Sequence, residues 1–195
     1  MSTVDISLDE KKEIKAKTAK PLLWVGMVSM TMLFAGLTSA VIVRRADTGW
    51  MHFPIPSGFY LSTVFIVLSS LSLALALKAA KHDKMHGVKV GVGITLALGA
   101  AFVFSQFHAF RQLIDAGIFF AGSQSSSSGS FLYVLAGLHL AHLFGGLIVL
   151  IVVLIRAVLQ KYNSENLLGL ELCSIFWHFL DVLWLYLFVF LLLII

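Results

Sequence analysis

Residues 172–195, "LCSIFWHFLDVLWLYLFVFLLLII", form an apolar run long enough to cross a lipid bilayer as one helix. A spanning helix needs about 20 mainly apolar residues, because the hydrocarbon layer is roughly 30 Å thick and each helical residue rises about 1.5 Å. His178 and Asp181 interrupt this run near its middle. An ionisable side chain at that depth costs a few kcal/mol, so we expect both residues to face the inside of a helical bundle and to have partners.

The whole chain has the composition of an integral membrane protein. Of its 195 residues, 59% are hydrophobic and only 12% are charged, whereas soluble domains average about 25% charged residues. The apolar runs are continuous, without the alternation of a membrane barrel strand. The sequence therefore predicts an all-α membrane protein with a bundle of five transmembrane helices, in one domain at 22–195 that follows an arm at 1–21. The predicted helices span about 22–43, 59–77, 88–110, 131–155 and 172–194.

The distribution of lysine and arginine predicts the orientation of the bundle. Eleven of the 14 basic residues lie on the side of the bilayer that holds the N-terminus, so the positive-inside rule places the N-terminus in the cytoplasm and the C-terminus outside. We interpret the net charge of +4 as a signal of topology and not of nucleic-acid binding. The serine-rich stretch at 122–130, "GSQSSSSGS", is typical of an exposed loop.

Five side chains are predicted to form a buried polar network between the last two helices. With a rise of about 1.5 Å per residue, Asp181 lies about 14 Å from the inner end of its helix and His142 about 16 Å from the outer end of the preceding helix. These depths nearly coincide, so the sequence predicts that His142 meets Asp181. His139 lies one turn further out, level with Trp184, and His178 lies one turn further in.

The same arithmetic predicts an interfacial ion pair between Arg156 and Glu171, which fall at matching heights near the cytoplasmic side. For the buried network we favour a structural role, with a proton relay as the alternative. Metal or haem ligation by His139 and His142, spaced i, i+3, is a third interpretation. Small residues within the helices are predicted to permit close contact between helices; they are Ser69, Ser70, Ser72, Gly91, Gly93, Gly99, Gly145 and Gly146.

Two neighbouring stretches resemble the last two helices of subunit III of haem-copper terminal oxidases. Residues 129–150, "GSFLYVLAGLHLAHLFGGLIVL", are similar to the family's "GS-x-FY-x-x-x-G-x-H-x-x-H-x-x-x-G" pattern, and residues 171–188, "ELCSIFWHFLDVLWLYLF", to its "E-x-x-x-x-YWHFVDVVWL" pattern. Weaker similarity extends over roughly residues 20–195, which corresponds to the short, five-helix form. The match involves His139, His142, Gly146, Glu171, Trp177, His178, Asp181 and Trp184.

Two positions depart from the family's pattern. In "SMTMLF" Met30 stands where the family often carries a membrane-buried glutamate, and in "QFHAF" Ala109 stands at the acidic position of its "Q-x-x-E" pattern. Proton handling by such a buried glutamate therefore does not carry over to this chain.

The resemblance implies a non-catalytic core subunit of a proton-pumping oxidase in aerobic electron transport, in a bacterial plasma membrane. It implies that haem and copper are bound by partner subunits I and II, and that this chain binds neither. The expected roles are stabilising subunit I, holding phospholipid and supporting proton uptake, within a larger respiratory supercomplex in some cases. Cytochrome c is favoured as the electron donor. Arg44 and Arg45 are candidate ligands for a lipid phosphate, because paired guanidinium groups suit phosphate geometry.

Two alternatives stay open at this point. One is a subunit of a quinol oxidase, since the choice of donor resides in other subunits. The other is a stand-alone proton-coupled transporter that uses His142 and Asp181. All three prolines lie outside the predicted spans, which disfavours the interrupted helices of many transporters.

Overall fold

The structure, a computed structural model, describes residues 8–46, 50–122, 125–159 and 167–195, with side chains from residue 17 onward. Over these ranges the regular secondary structure is helical, and each of five helices is long and apolar enough to span a membrane. The predicted fold class is thereby confirmed, while the orientation in the membrane stays a prediction. The helices are α1 Leu8–Arg44, α2 Ser57–Lys81, α3 Met85–Asp115, α4 Ser127–Val158 and α5 Leu168–Ile194.

The helices extend beyond the predicted apolar runs. Helix α1 begins at Leu8 and includes Pro21, so most of the predicted arm continues the first helix. Helix α4 begins inside the serine-rich stretch, where the Ser126 Oγ accepts a hydrogen bond from the Gly129 backbone N–H at 3.1 Å and caps the helix. Hydropathy marks the part of a helix that crosses the hydrocarbon layer, and polar helical turns continue past it.

Helix α5 is the central element of the bundle. It packs against α1, α2 and α4, whereas α2 and α3 form the most extensive pair and α3 also contacts α4. Helix α1 packs only on α4 and α5 among the described elements. In the most apolar part of each helix, 50% of the α5 residues are buried but only 22% of those in α1.

Close contact through glycine occurs at some of the predicted positions. A Cβ atom on Gly91 would lie 2.7 Å from the Cβ of Ala76, and Cβ atoms on Gly99 and Gly146 would press on side chains of neighbouring helices. At these three glycines the prediction is confirmed. It is wrong for Gly93 and Gly145, where an added Cβ would meet nothing within 4 Å.

Candidate functional site

Two tryptophans of α5 bond to hydroxyl groups of α2. Trp177 Nε1 donates to Ser69 Oγ at 2.9 Å, and Trp184 Nε1 donates to Thr63 Oγ1 at 3.0 Å. Both indoles are fully buried, so each N–H depends on its hydroxyl partner, since no water is available at that depth. We call this line of contacts between the two helices the α2–α5 seam.

Trp177 also fills the space that two glycines leave open. A Cβ atom on Gly99 of α3 would lie 2.9 Å from Trp177 Cη2, and a Cβ atom on Gly146 of α4 would lie 3.3 Å from Trp177 Cε3. The indole thus contacts α3 and α4 through its ring and α2 through its N–H. One side chain of α5 therefore connects three other helices.

A histidine and a carboxyl group lie beside the seam at the centre of α5. Ser70 Oγ and His178 Nδ1 are 2.5 Å apart, and His178 Nδ1 is 4.0 Å from Asp181 Oδ2. Asp181 is only 3% exposed, and neither of its carboxyl oxygens has a hydrogen-bond partner among the described residues. The predicted proximity of these two α5 residues is therefore present, with Ser70 of α2 beside them.

His139 occupies an aromatic box. Its ring centroid lies 5.2 Å from that of Trp184, 6.1 Å from that of Phe102 and 6.5 Å from that of Phe34. The side chain is fully buried, and neither ring nitrogen has a hydrogen-bond partner within the described ranges. The prediction that His139 and Trp184 lie at the same depth agrees with this contact. The two rings pack against each other and do not form a hydrogen bond.

The predicted hydrogen bond between His142 and Asp181 is not formed. His142 Nδ1 lies 2.8 Å from the Leu138 carbonyl oxygen of its own helix, and its ring is 5.8 Å from the Phe34 ring of α1. Equal depth in the membrane does not fix the direction in which a side chain leaves its helix. His142 points towards Phe34 of α1, whereas Asp181 lies beside the contact between His178 and Ser70 of α2. The five predicted residues thus fall into a His139–Trp184 packing pair, a His178–Asp181 pair and His142, which contacts Phe34 of α1.

Glu171 forms its ion pair with Lys20 and not with Arg156. Lys20 Nζ lies 2.7 Å from Glu171 Oε2. The arm predicted at 1–21 is largely helical, so α1 carries Lys20 to the level of Glu171. Arg156 is exposed in the last turn of α4 and borders a groove of about 450 Å³ between α1, α4 and α5 that is lined by Leu23 and Phe176 among others.

The two arginines predicted to bind a lipid phosphate differ in surroundings. Arg44, the last residue of α1, lines a pocket of about 300 Å³ beside the start of α4. Arg45 follows the helix and is exposed. The other described residues that line the pocket are serines 125, 126, 127 and 130 with Phe131 and Val134.

The sequence reasoning missed the specific roles of the α2 hydroxyl groups, which it treated only as small packing residues. Trp177 and Trp184 are seven residues apart and therefore lie on one face of α5. Their partners Ser69 and Thr63 are six residues apart on α2, so the spacing of the tryptophans indicates a face of α5 that meets a neighbouring helix but does not identify the hydroxyl partners. Gln106 is a further case, since its Nε2 donates to Ser62 Oγ at 2.8 Å across the α2–α3 contact.

Ala109, one of the two departures from the family pattern, is fully buried. A Cβ atom on Gly58 of α2 would lie 2.8 Å from the Ala109 Cβ. At this distance the α2–α3 contact leaves no room for a carboxylate at position 109. The departure is therefore part of a tight helix contact.

The arrangement defines a class of protein: a multi-pass α-helical membrane protein whose buried polar side chains join helices. Within the described ranges, no three or more His, Cys, Asp or Glu side chains are grouped so that they could hold a metal ion. The side-chain hydrogen bonds of α5 described above join it to α2.

Comparison with known proteins identifies the family. The profile of the family described as "Cytochrome c oxidase subunit III" matches residues 23–194, so the chain belongs to that family. The "Probable cytochrome c oxidase subunit 3" of Nocardia farcinica is 31% identical over 86% of this chain and 82% of its own length. The "Cytochrome c oxidase subunit 3" of Corynebacterium diphtheriae is 30% identical, over 81% of this chain and 79% of its own length.

A relative that is named for a different electron donor, a quinol, is similar to nearly the same degree. The "Cytochrome bo(3) ubiquinol oxidase subunit 3" of Pseudomonas aeruginosa is 29% identical over 83% of this chain and 78% of its own length. The chain is thus subunit III of a haem-copper oxidase, as the resemblance predicted, and family membership implies association with other oxidase subunits.

Proposed function

We propose that the chain is a core subunit without a reaction centre of its own, which packs directly against subunit I of a proton-pumping oxidase and stabilises it. The observation that carries this proposal is that three polar side chains of α5 bond to a neighbouring helix of the same chain. Trp177, Trp184 and His178 are engaged with hydroxyl groups of α2, as suits a subunit that must keep a fixed shape. The oxidase's haem and copper belong to subunits I and II in this proposal, and the complex lies in a bacterial plasma membrane.

Cytochrome c is the proposed electron donor. The Nocardia and Corynebacterium relatives have cytochrome c oxidase names. A quinol oxidase is the second candidate, because the Pseudomonas relative bears that name at nearly the same identity. Assaying the purified complex with reduced cytochrome c and with a quinol distinguishes the two, since the donor that sustains oxygen consumption identifies the class.

Phospholipid binding is proposed at two places. The Arg44 pocket joins a guanidinium group and four serine hydroxyl groups to apolar side chains, which suits a headgroup above the start of an acyl chain. The groove bordered by Arg156 has mainly apolar walls and suits an acyl chain. Lipid extraction and mass spectrometry of the purified complex, compared with Arg44→Ala and Arg156→Ala variants, tests each place separately.

A tagged version of the chain, purified from membranes in mild detergent, tests the core proposal. We expect it to co-purify with a haem-containing subunit, and we expect the complex depleted of this chain to lose oxidase activity at a lower temperature. Recovery of the chain without any haem-containing partner would refute the proposal. Equal thermal stability of the depleted complex would refute the stabilising role alone.

Support of proton uptake is proposed to proceed without a carboxylate at position 30. Met30→Leu is therefore expected to leave the ratio of protons pumped to electrons transferred unchanged in reconstituted vesicles. A large loss of pumping in this variant would show that position 30 contributes to proton uptake by a route that does not need a carboxylate.

A further inference from the structure

A partly exposed histidine lies at the middle of the membrane-spanning part of α5. Asp181 is the central residue of this 27-residue helix, and His178 precedes it by less than one turn. The His178 side chain is 36% exposed, whereas that of Asp181 is 4% exposed. His178 therefore has one edge on the outer surface of the bundle, at a depth where that surface faces hydrocarbon or another protein.

The ring of His178 has one nitrogen engaged inside the bundle and one without a partner. Nδ1 lies 2.5 Å from Ser70 Oγ and 4.0 Å from Asp181 Oδ2. Nε2 has no hydrogen bond to any residue that the structure describes. In either neutral tautomer Nε2 can donate or accept one hydrogen bond, and acyl chains offer no group to complete it.

The surface around His178 has the character of a helix-packing face. Val67 and Ala74 lie on α2 within one turn of Ser70, and Val182 and Leu185 follow His178 on α5; all four are exposed. The Ser70 contact with His178 brings these two helix faces side by side. Small and β-branched side chains let another helix approach closely, and a histidine among them supplies an interhelical hydrogen bond.

We propose that a transmembrane helix of another oxidase subunit docks on this α2–α5 face and presents a hydrogen-bonding side chain to His178 Nε2. The proposal rests on the proposed function, in which the chain packs directly against other subunits. It adds the face that is used and the chemistry that the partner helix must carry. If only lipid covers this face, the Nε2 atom of His178 has no hydrogen-bond partner. A polar side chain from a partner helix would supply that partner.

Photocrosslinking in the intact complex tests the choice of face. A photoreactive residue at Val182, which is 64% exposed, probes the docking face, and one at Phe104 of α3, which is 75% exposed, is the matched control. We expect position 182 to crosslink to another oxidase subunit and position 104 to give lipid adducts. Lipid adducts alone from position 182 in an intact complex would overturn the inference and leave the proposed function standing. Failure of the unmodified chain to co-purify with any oxidase subunit would overturn both.

Side-chain replacement tests the hydrogen bond itself. His178→Phe keeps a ring but cannot bond, so we expect retention of the chain in the complex to fall by about 3-fold to 20-fold, the range of interhelical hydrogen bonds in membranes. His178→Gln is expected to restore most of the retention. Ser70→Ala removes only the internal contact, so it is the control and is expected to retain the chain. Equal retention of His178→Phe and the unmodified chain, or a loss in Ser70→Ala as large as in His178→Phe, would overturn the assignment of Nε2 to a partner.

Discussion

Replacing Gly99 by alanine should separate the helices around Trp177. The new Cβ atom would lie 2.9 Å from Trp177 Cη2 and 2.9 Å from Leu147 Cδ2. The leucine methyl group can rotate away. The indole is held by its bond to Ser69 Oγ at 2.9 Å and by Gly146 of α4, so it cannot move without breaking other contacts.

The matched variant Gly93→Ala isolates the cost of this contact. Gly93 lies on the same helix, and an added Cβ would meet nothing within 4 Å. Both variants gain the same helix propensity, about 1 kcal/mol in soluble helices, whereas only Gly99→Ala incurs the overpacking cost of about 1–3 kcal/mol. The unfolding constants of the two variants should therefore differ by roughly 5-fold to 150-fold.

The measurement is a titration of the purified complex with a denaturing detergent, following the loss of native structure in this subunit. Gly99→Ala should unfold at a lower midpoint than Gly93→Ala. Adding Trp177→Phe to Gly99→Ala should cost less than the sum of the two single changes, because the clashing ring atoms are removed. Equal midpoints for the two alanine variants, or strictly additive costs in the pair, would refute this account of the packing.

Three further outcomes are expected in the same titration. Asp181→Leu and His142→Leu should have additive costs, within about 0.5 kcal/mol, because the two side chains share no bond; strong coupling would contradict the geometry. Lys20→Ala should cost at most about 1 kcal/mol, and less at high salt, because its pair with Glu171 is partly exposed; an effect independent of salt would argue against the ion pair. Ala109→Glu should cost about 3 kcal/mol or more, because the site is fully buried against α2; a complex of normal stability would show that α2 and α3 can separate.

The number of helices was predictable from the sequence because crossing a bilayer imposes a length and a composition on each span. The ends of the helices were not. Hydropathy falls at the membrane surface, but hydrogen bonding continues the helix into polar residues, as at Lys20 in α1. Hydropathy alone begins the first helix after Lys20, and for this reason the sequence predicts Arg156, and not Lys20, as the partner of Glu171.

The depth of each candidate side chain in the membrane was predictable from the sequence. The direction in which the side chain points around its helix axis was not. The rise per residue placed His139 level with Trp184, and their rings are 5.2 Å apart. The same arithmetic placed His142 level with Asp181, yet these residues point towards different neighbours. One sequence gives no rotational reference for a helix that is apolar on all sides, because lipid and protein interior are equally apolar. A polar pair such as Ser69 and Trp177 shows which side of each helix faces the other, but only after it is known which two helices are neighbours.

The packing order of the helices has a consequence for biogenesis. Helix α1 is the first of the five to enter the bilayer, and it packs only on α4 and α5 among the described elements. It must therefore persist as a separate apolar helix in the lipid while the two segments α2 and α3 are translated and inserted, until α4 supplies its first partner. Helix α5 then packs against α1, α2 and α4 together, so the ribosome must complete that last segment before the bundle can finish packing. A substitution that delays insertion of α5 would leave a chain with four inserted helices that lacks its central packing element, and incompletely folded states of this kind are exposed to cellular proteases.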